Sequence, residues 1–549
     1  MNRFVLSLLS LSLLLLPHAN SQGVRPGTGS DDAPETGTTQ PGKGPQIPFD
    51  EGRWEFWWYY NREPHIGLRQ ALTALEAGKA DVDRPFETVT RTDREESLIP
   101  TMVGALRDSN PFVRLAAMEA LAKTQDPGAR PPLFSALHDQ LFEVRVESIV
   151  ALGVWGDSIS LPRLESILGD STRHLQERTY AALAIGMIGG PLAAESLKQR
   201  LPPRVFREFP VQVQTGIAYG VGLTRDPDCD PLIRALLEDP AVDDFMVRSY
   251  LILSLGKCGN PDSAAVLLAG LKNSDMQFRR SAAIALGILL RKAADETAVK
   301  ALIGAAHDDN DLMVKNFSFI SLGYVGGELA VETLRKDLSR ATKASRSFVA
   351  LALGLLGDPE TVPLLLKQFE AENDPSIRGA MAISLGLHRD GRASPDLRKA
   401  FQQAKEPVFR GYAALALGMI GDVESIQDIQ AAFAGANDVE MIANLATSLG
   451  LLGDRTTVEK LSKLAATSKN EFVRQSLLYA MGLIGDRAAI SELGKVIGQK
   501  DEVAYVRGYA VTALGLLVDR EEVRAISQVS SDSNYTIMSD FLSEVFRIL

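Results

Sequence analysis

Cysteine is nearly absent, with only Cys229 and Cys258 in 549 residues, so neither a disulfide-framed small fold nor a cysteine-rich metal module is available. Histidine is almost as scarce. After the first 21 residues only His65, His138, His174, His307 and His388 remain, and none sits in an HExxH or a His-Glu pair; that excludes the usual sequence-local metal constellations. No Gly-rich phosphate loop or dinucleotide fingerprint occurs. Excess positive charge is missing too, since 58 Lys and Arg face 69 Asp and Glu for a net charge of −11, a poor balance for a phosphate-gripping groove. Beyond Leu16 no apolar run approaches the roughly 20 residues that span a bilayer.

What the chain has is one repeated phrase, plainest as GYAALALGMIGD at Gly411 to Asp422 and SFVALALGLLGD at Ser347 to Asp358. With the Gly of the Leu-Gly pair as position zero, it recurs at Ala122, Gly153, Gly186, Gly220, Gly256, Gly287, Gly323, Gly354, Gly386, Gly418, Gly450, Gly482 and Gly515, spaced 31 to 36 residues apart. A fixed period of that size marks a solenoid, because no repeat buries its apolar face alone and each stacks on its neighbours.

The ends lie outside the period. Met1–Arg3, the Leu-rich stretch Phe4–Leu16 and the small residues Ala19 and Ser21 read as a signal peptide over residues 1–21, so an extracytoplasmic (periplasmic or secreted) mature chain is expected. Residues 22–48 hold six glycines, five prolines and four threonines, a composition that cannot offset its ordering entropy and predicts a disordered leader. Residues 49–93 begin with WEFWWYY. If helical, Trp54, Trp57 and Trp58 share one face. They read as an aromatic cap over the open edge of the first repeat or, alternatively, as a platform for a surface polysaccharide or peptide. Leu68, Ala71, Leu72 and Leu75 continue a short amphipathic helix. The repeats run over 94–531, and 532–549 reads as a C-terminal capping helix.

Each repeat parses into two helices. Positions −9, −5, −2 and +2 step by four, three and four, one stripe of a helix. Position −2 is Ala or Ser in all thirteen copies, and position 0 is also small, which lets helices approach closely. Asn or Asp at −12 in seven copies predicts N-caps, while Gly at +3 and Asp at +4, each in eight copies, predict a C-terminal stop and the next cap.

The Val-Arg pair opening the second helix (Val113-Arg114, Val144-Arg145, Val247-Arg248, Val473-Arg474, Val506-Arg507), followed by Ala-Leu-Gly-x-x-Gly-Asp, resembles the short HEAT-like repeats, also called phycobilisome-lyase-like. The likeness covers about 94–549. The WEFWW block is similar to one in secreted bacterial HEAT-repeat proteins. This resemblance implies an all-α, right-handed α-α superhelix of about 12–13 hairpins, with a contour of about 120 Å at roughly 9 Å per pair. A HEAT-like hydroxylase would use repeated His-Glu pairs for iron, and this chain has none.

Position −8 is cationic in eleven copies: Arg114, Arg145, Arg178, Arg248, Arg279, Lys315, Arg346, Arg378, Arg410, Arg474 and Arg507. A cation near a helix N-terminus opposes the dipole and needs an acid. The resemblance implies an inter-repeat ladder; the alternative is a row gripping an anionic ligand on the concave face. The irregular stretches 190–210 and 226–244 are candidate specificity loops. Cys229 and Cys258 flank one antiparallel hairpin, so a disulfide stapling that repeat is one reading and a small buried Cys258 the other. Together these features predict a non-catalytic scaffold binding a protein or peptide on the concave face, without metal or cofactor. The alternatives are a phycobilin-lyase-like enzyme or chaperone, and polysaccharide binding through the tryptophans.

Overall fold

The computed structural model describes residues 52–76, 89–454, 456–519 and 525–537; the expected signal peptide and leader lie outside them. The thirteen phrases form thirteen helices: α1 (Pro111–Thr124), α2 (Phe142–Trp155), α3 (Leu175–Ile188), α4 (Val211–Thr224), α5 (Phe245–Cys258), α6 (Met276–Leu289), α7 (Leu312–Val325), α8 (Lys343–Leu356), α9 (Pro375–His388), α10 (Pro407–Ile420), α11 (Val439–Leu451), α12 (Glu471–Ile484) and α13 (Ala504–Val518). All seven Asn and Asp residues at −12 cap their helices by accepting backbone N–H bonds, as Asp244 does from Met246 and Val247. No strand occurs among the described residues. The all-α solenoid expected from the repeat is the fold.

Each of these helices packs on the next, and a second helix covers its outer side. Burial differs accordingly. Glu177–Met187 of α3 are buried without a break, the pattern of a helix enclosed on every side. The outer Asp230–Glu238 buries only Asp230, Ile233 and Leu236, a single stripe.

The register corrects the sequence reading in one repeat. Helix α4 places Gly222, not Gly220, at position zero: a Cβ on Gly222 would meet Ser254, the −2 residue of the next repeat, while Gly220 is itself the −2 residue against Gly186. The extra residues therefore all fall before α4, where 190–210 folds as Gly190–Lys198 and the short turn Pro203–Phe206. The 226–244 stretch is an ordinary outer helix and its connections.

The array does not end in two open edges. Helix α13 lies against α1 as closely as successive helices lie on each other. The seam uses the repeat's own packing, because a Cβ on Gly515 would lie 2.7 Å from Cα of Ala120, the −2 residue of the first repeat. Phe112 adds ring contacts to Tyr505 and Tyr509 at 4.9 and 5.9 Å. Thirteen helices about 9 Å apart close a circle some 37 Å across at their axes, leaving about 27 Å inside once helix width is removed.

That lumen is filled by the chain's ends. The helix Trp54–Asn61 starts at the rim formed by the N-termini of α1–α13, and the chain crosses to the other rim, where Arg69 donates to the carbonyls of Leu516 and Asp519 at 3.0 Å. Ala525–Ser530 and the turn Tyr535–Ile537 return the other way, from Arg291–Asp532 at one rim to Thr536 against Arg280 near the other. Of the expected C-terminal helix, 538–549 lies outside the described residues.

Candidate functional site

The three tryptophans face the inner wall. Trp54, Trp57 and Trp58 are 1%, 4% and 1% exposed, so they offer no platform to a polysaccharide. Nor do they cover an open first repeat, because α13 does. Trp54 Nε1 donates to Ser376 Oγ at 2.9 Å, and its ring lies 4.8 Å from that of Tyr412. Ser376 in turn donates to Glu55 at 2.6 Å. Tyr412 donates to Glu440, whose carboxyl burial pushes up to about 7. On the far side His65 stacks between Trp57 and Tyr324, and Arg291 lies 3.9 Å above the Tyr324 ring. Burial, with Arg291 nearby, lowers His65 to about 4.

The sequence reading missed the residues that receive these ends. Six of the thirteen copies carry an aromatic at position −6: Tyr180, Tyr250, Phe317, Phe348, Tyr412 and Tyr509. Tyr250 donates to the carbonyl of Ile537 at 3.0 Å and Phe317 meets the Tyr535 ring at 5.4 Å. That recurrence was visible in the sequence, but nothing in it said which way the position faced.

The cationic row divides in two. Arg145 reaches Glu177 at 2.8 Å, Arg279 grips Asp309 with bonds of 2.8 and 3.0 Å, and Arg346 meets Glu372 at 3.3 Å, each an acid of the following repeat. Arg474 pairs with Glu502, and Arg507 with Asp108 across the seam. The others turn to carbonyls and rings. Arg114 and Arg248 donate to the loop before their helix, and Lys315 donates to the carbonyl of His307 in the last turn of the outer helix before it. Arg178 and Arg410 donate to the outer-helix carbonyls of Leu168 and Phe401. Arg378 lies over the rings of Phe369 and Phe409 at 4.7 and 5.0 Å.

Cys229 and Cys258 are free thiols, both buried. They face each other, yet no bridge is formed; their mutual hydrogen bond, then burial, raises the Cys258 thiol. Cys229, at the N-cap position of its outer helix, is as fully buried as Cys258.

No His, Cys, Asp and Glu cluster suited to a metal occurs among the described residues. His174 caps α3, accepting from Gln176 at 3.2 Å, His307 pairs with Asp337 at 2.7 Å, and His65 and His388 sit in different environments.

The family pattern described as HEAT repeats matches residues 69–141, 205–287, 229–318, 362–441 and 429–515. Deoxyhypusine hydroxylase-B of Oryza sativa subsp. japonica is 25% identical over 273 residues, 48% of this chain and 83% of that protein. The Homo sapiens deoxyhypusine hydroxylase is 25% identical over 261 residues, covering 44% and 85%. Among solved structures, human deoxyhypusine hydroxylase with glycerol aligns at 23% identity over 48% of this chain and 96% of that one, TM-score 0.24. The CpcE–CpcF complex of phycocyanin lyase from Nostoc sp. aligns at 20% over 46% and 95%, TM-score 0.31.

Proposed function

Because the chain belongs to the HEAT-repeat family, we propose that it is a non-catalytic, extracytoplasmic binding protein that engages a protein partner through the outside of its ring. The observation that carries this reading is the filled lumen. Repeat solenoids bind along their extended surfaces, but here the concave face expected to hold a peptide is covered by Trp54–Glu76 and Ala525–Ile537. The outer helices and rims are what remains for a partner. Export rests on the charge and apolar pattern of residues 1–21.

Capture from an envelope extract by the mature chain, followed by lysine cross-linking and mass spectrometry, tests it. Expected cross-links reach exposed outer lysines such as Lys300, Lys336 and Lys463. The lumenal Lys257, which donates to the carbonyl of Ser531 at 3.0 Å, should give none. Partner cross-links at Lys257, or recovery of glycans alone, would overturn the reading. The hydroxylase relatives favour a second one, an enzyme on the same repeats; stoichiometric iron in the purified protein, with loss on removing a histidine, would favour it instead.

A further inference from the structure

The rim made by the helix N-termini is apolar over one arc. The first residues of α3 to α7 are Leu175, Val211, Phe245, Met276 and Leu312, exposed by 37%, 45%, 50%, 47% and 39%, and Leu141 at the cap of α2 extends the line at 40%. An apolar side chain at a helix start can pack on its neighbours, as Phe142 does on the His174 ring at 4.8 Å and Val439 on Tyr509. Those of the arc stand in solvent. Past them the same position holds Lys343, Pro375 and Pro407 in α8 to α10.

The arc is large enough to need an occupant, and its shape selects one. Its side chains leave roughly 400 Å² of apolar surface open, the size at which a patch marks a contact. From Leu175 to Leu312 it crosses four helix spacings, about 36 Å, on a rim two helices deep, so about 700 Å² of rim goes with it. A stable complex buries about 800 Å² per partner, which requires the whole arc and its flanks. Because α13 returns to α1, the ring closes without a pitch and equivalent positions of successive repeats lie at one level. A second rim of the same kind fits such a surface from end to end. Exposed Glu208, Asp243 and Asp275 interrupt the arc, which sets it against an anionic lipid surface.

We propose that two copies of this chain meet rim to rim along the arc, about a two-fold axis through Phe245. That axis lays Phe245 on Phe245, Val211 on Met276 and Leu175 on Leu312, so each of these apolar residues meets another. It also sets α2 of one copy over α8 of the other. There the exposed Glu143 meets Lys343, whose side chain is 76% exposed with Asp374 only at 4.0 Å. The symmetry makes this charge pair twice, once at each end of the arc.

Sedimentation equilibrium of the full-length chain at micromolar concentration should give the mass of two chains. Phe245→Asp with Met276→Asp should reduce it to one at nearly unchanged melting temperature, because both side chains stand in solvent and an acid suits a first helical position. Lys343→Glu should raise the dissociation constant by roughly tenfold through its two symmetric pairs, and adding Glu143→Lys should restore it. Asp243→Asn, which removes an acid brought against its own copy, should tighten the dimer. With p-benzoylphenylalanine in place of Phe245, irradiation should join two copies through the peptide that holds this position. A wild-type mass of one chain throughout the micromolar range, a dimer that survives the Asp pair, no rescue by Glu143→Lys, or cross-links to the outer helices would overturn the proposal.

Discussion

Two buried titrating groups fasten the lumenal segments with opposite pH signatures. His65 falls from 6.5 to about 4 on folding, so the unfolded chain holds the extra proton between those values and stability is lost as pH falls through that window. Glu440 rises from 4.5 to about 7, so the folded chain holds the extra proton and stability is lost as pH rises through it. Over their overlap the two slopes, each up to about 1.4 kcal/mol per pH unit, oppose each other. Denaturant midpoints should therefore change little between pH 5 and 6 in the wild type, climb with pH in Glu440→Gln and fall with pH in His65→Gln; parallel profiles for all three would contradict the assignment. The arginines make a second residue-level prediction. Arg279→Met leaves Asp309, only 10% exposed, without its bidentate partner and should cost about 1–3 kcal/mol. Arg378→Met keeps apolar contact with its two rings and should cost under about 1 kcal/mol. Equal melting temperatures for these two variants would remove the distinction between ladder and ring contacts.

Between elements, the decisive contact is a small residue on a small residue. Gly515→Val would drive its Cβ into Cα of Ala120 and should cost about 1–3 kcal/mol, with a larger radius of gyration by solution scattering if the seam parts. Gly494→Ala is the control. It lies within an outer helix with nothing within 4 Å of the added Cβ, so it should stabilise by up to about 1 kcal/mol. A destabilised control with a neutral Gly515→Val would show that helix propensity, not close approach, explains the glycines. The helix starts were legible in advance because a cap acts over two or three residues: Asn or Asp at −12 names its own acceptors. The register of α4 was not, because Gly220 and Gly222 both satisfy the local phrase and only contact with Ser254 and Gly186 separates them.

At the scale of the molecule, closure replaces two exposed edges by one more ordinary interface. Solution scattering should give a single compact distance distribution without the long tail of an open array about 120 Å in contour. Unfolding followed by far-UV dichroism and by the fluorescence of Trp54, Trp57 and Trp58 should coincide, since the lumenal segment contacts helices from opposite sides of the ring, α7 through the His65 ring on Tyr324 and α13 through Leu516. Early loss of the fluorescence signal would make that segment a detachable insert. The sequence by itself determined the helices, their caps, their pairing and the small-residue stripe, because each depends on neighbours within one repeat or the next. Only the tertiary structure decided that the array closes, that the tryptophans lie inside, and which arginines find acids. Those outcomes depend on small rotations accumulated over thirteen repeats, and on pairs such as Arg507–Asp108, separated by 399 residues, that no local pattern contains.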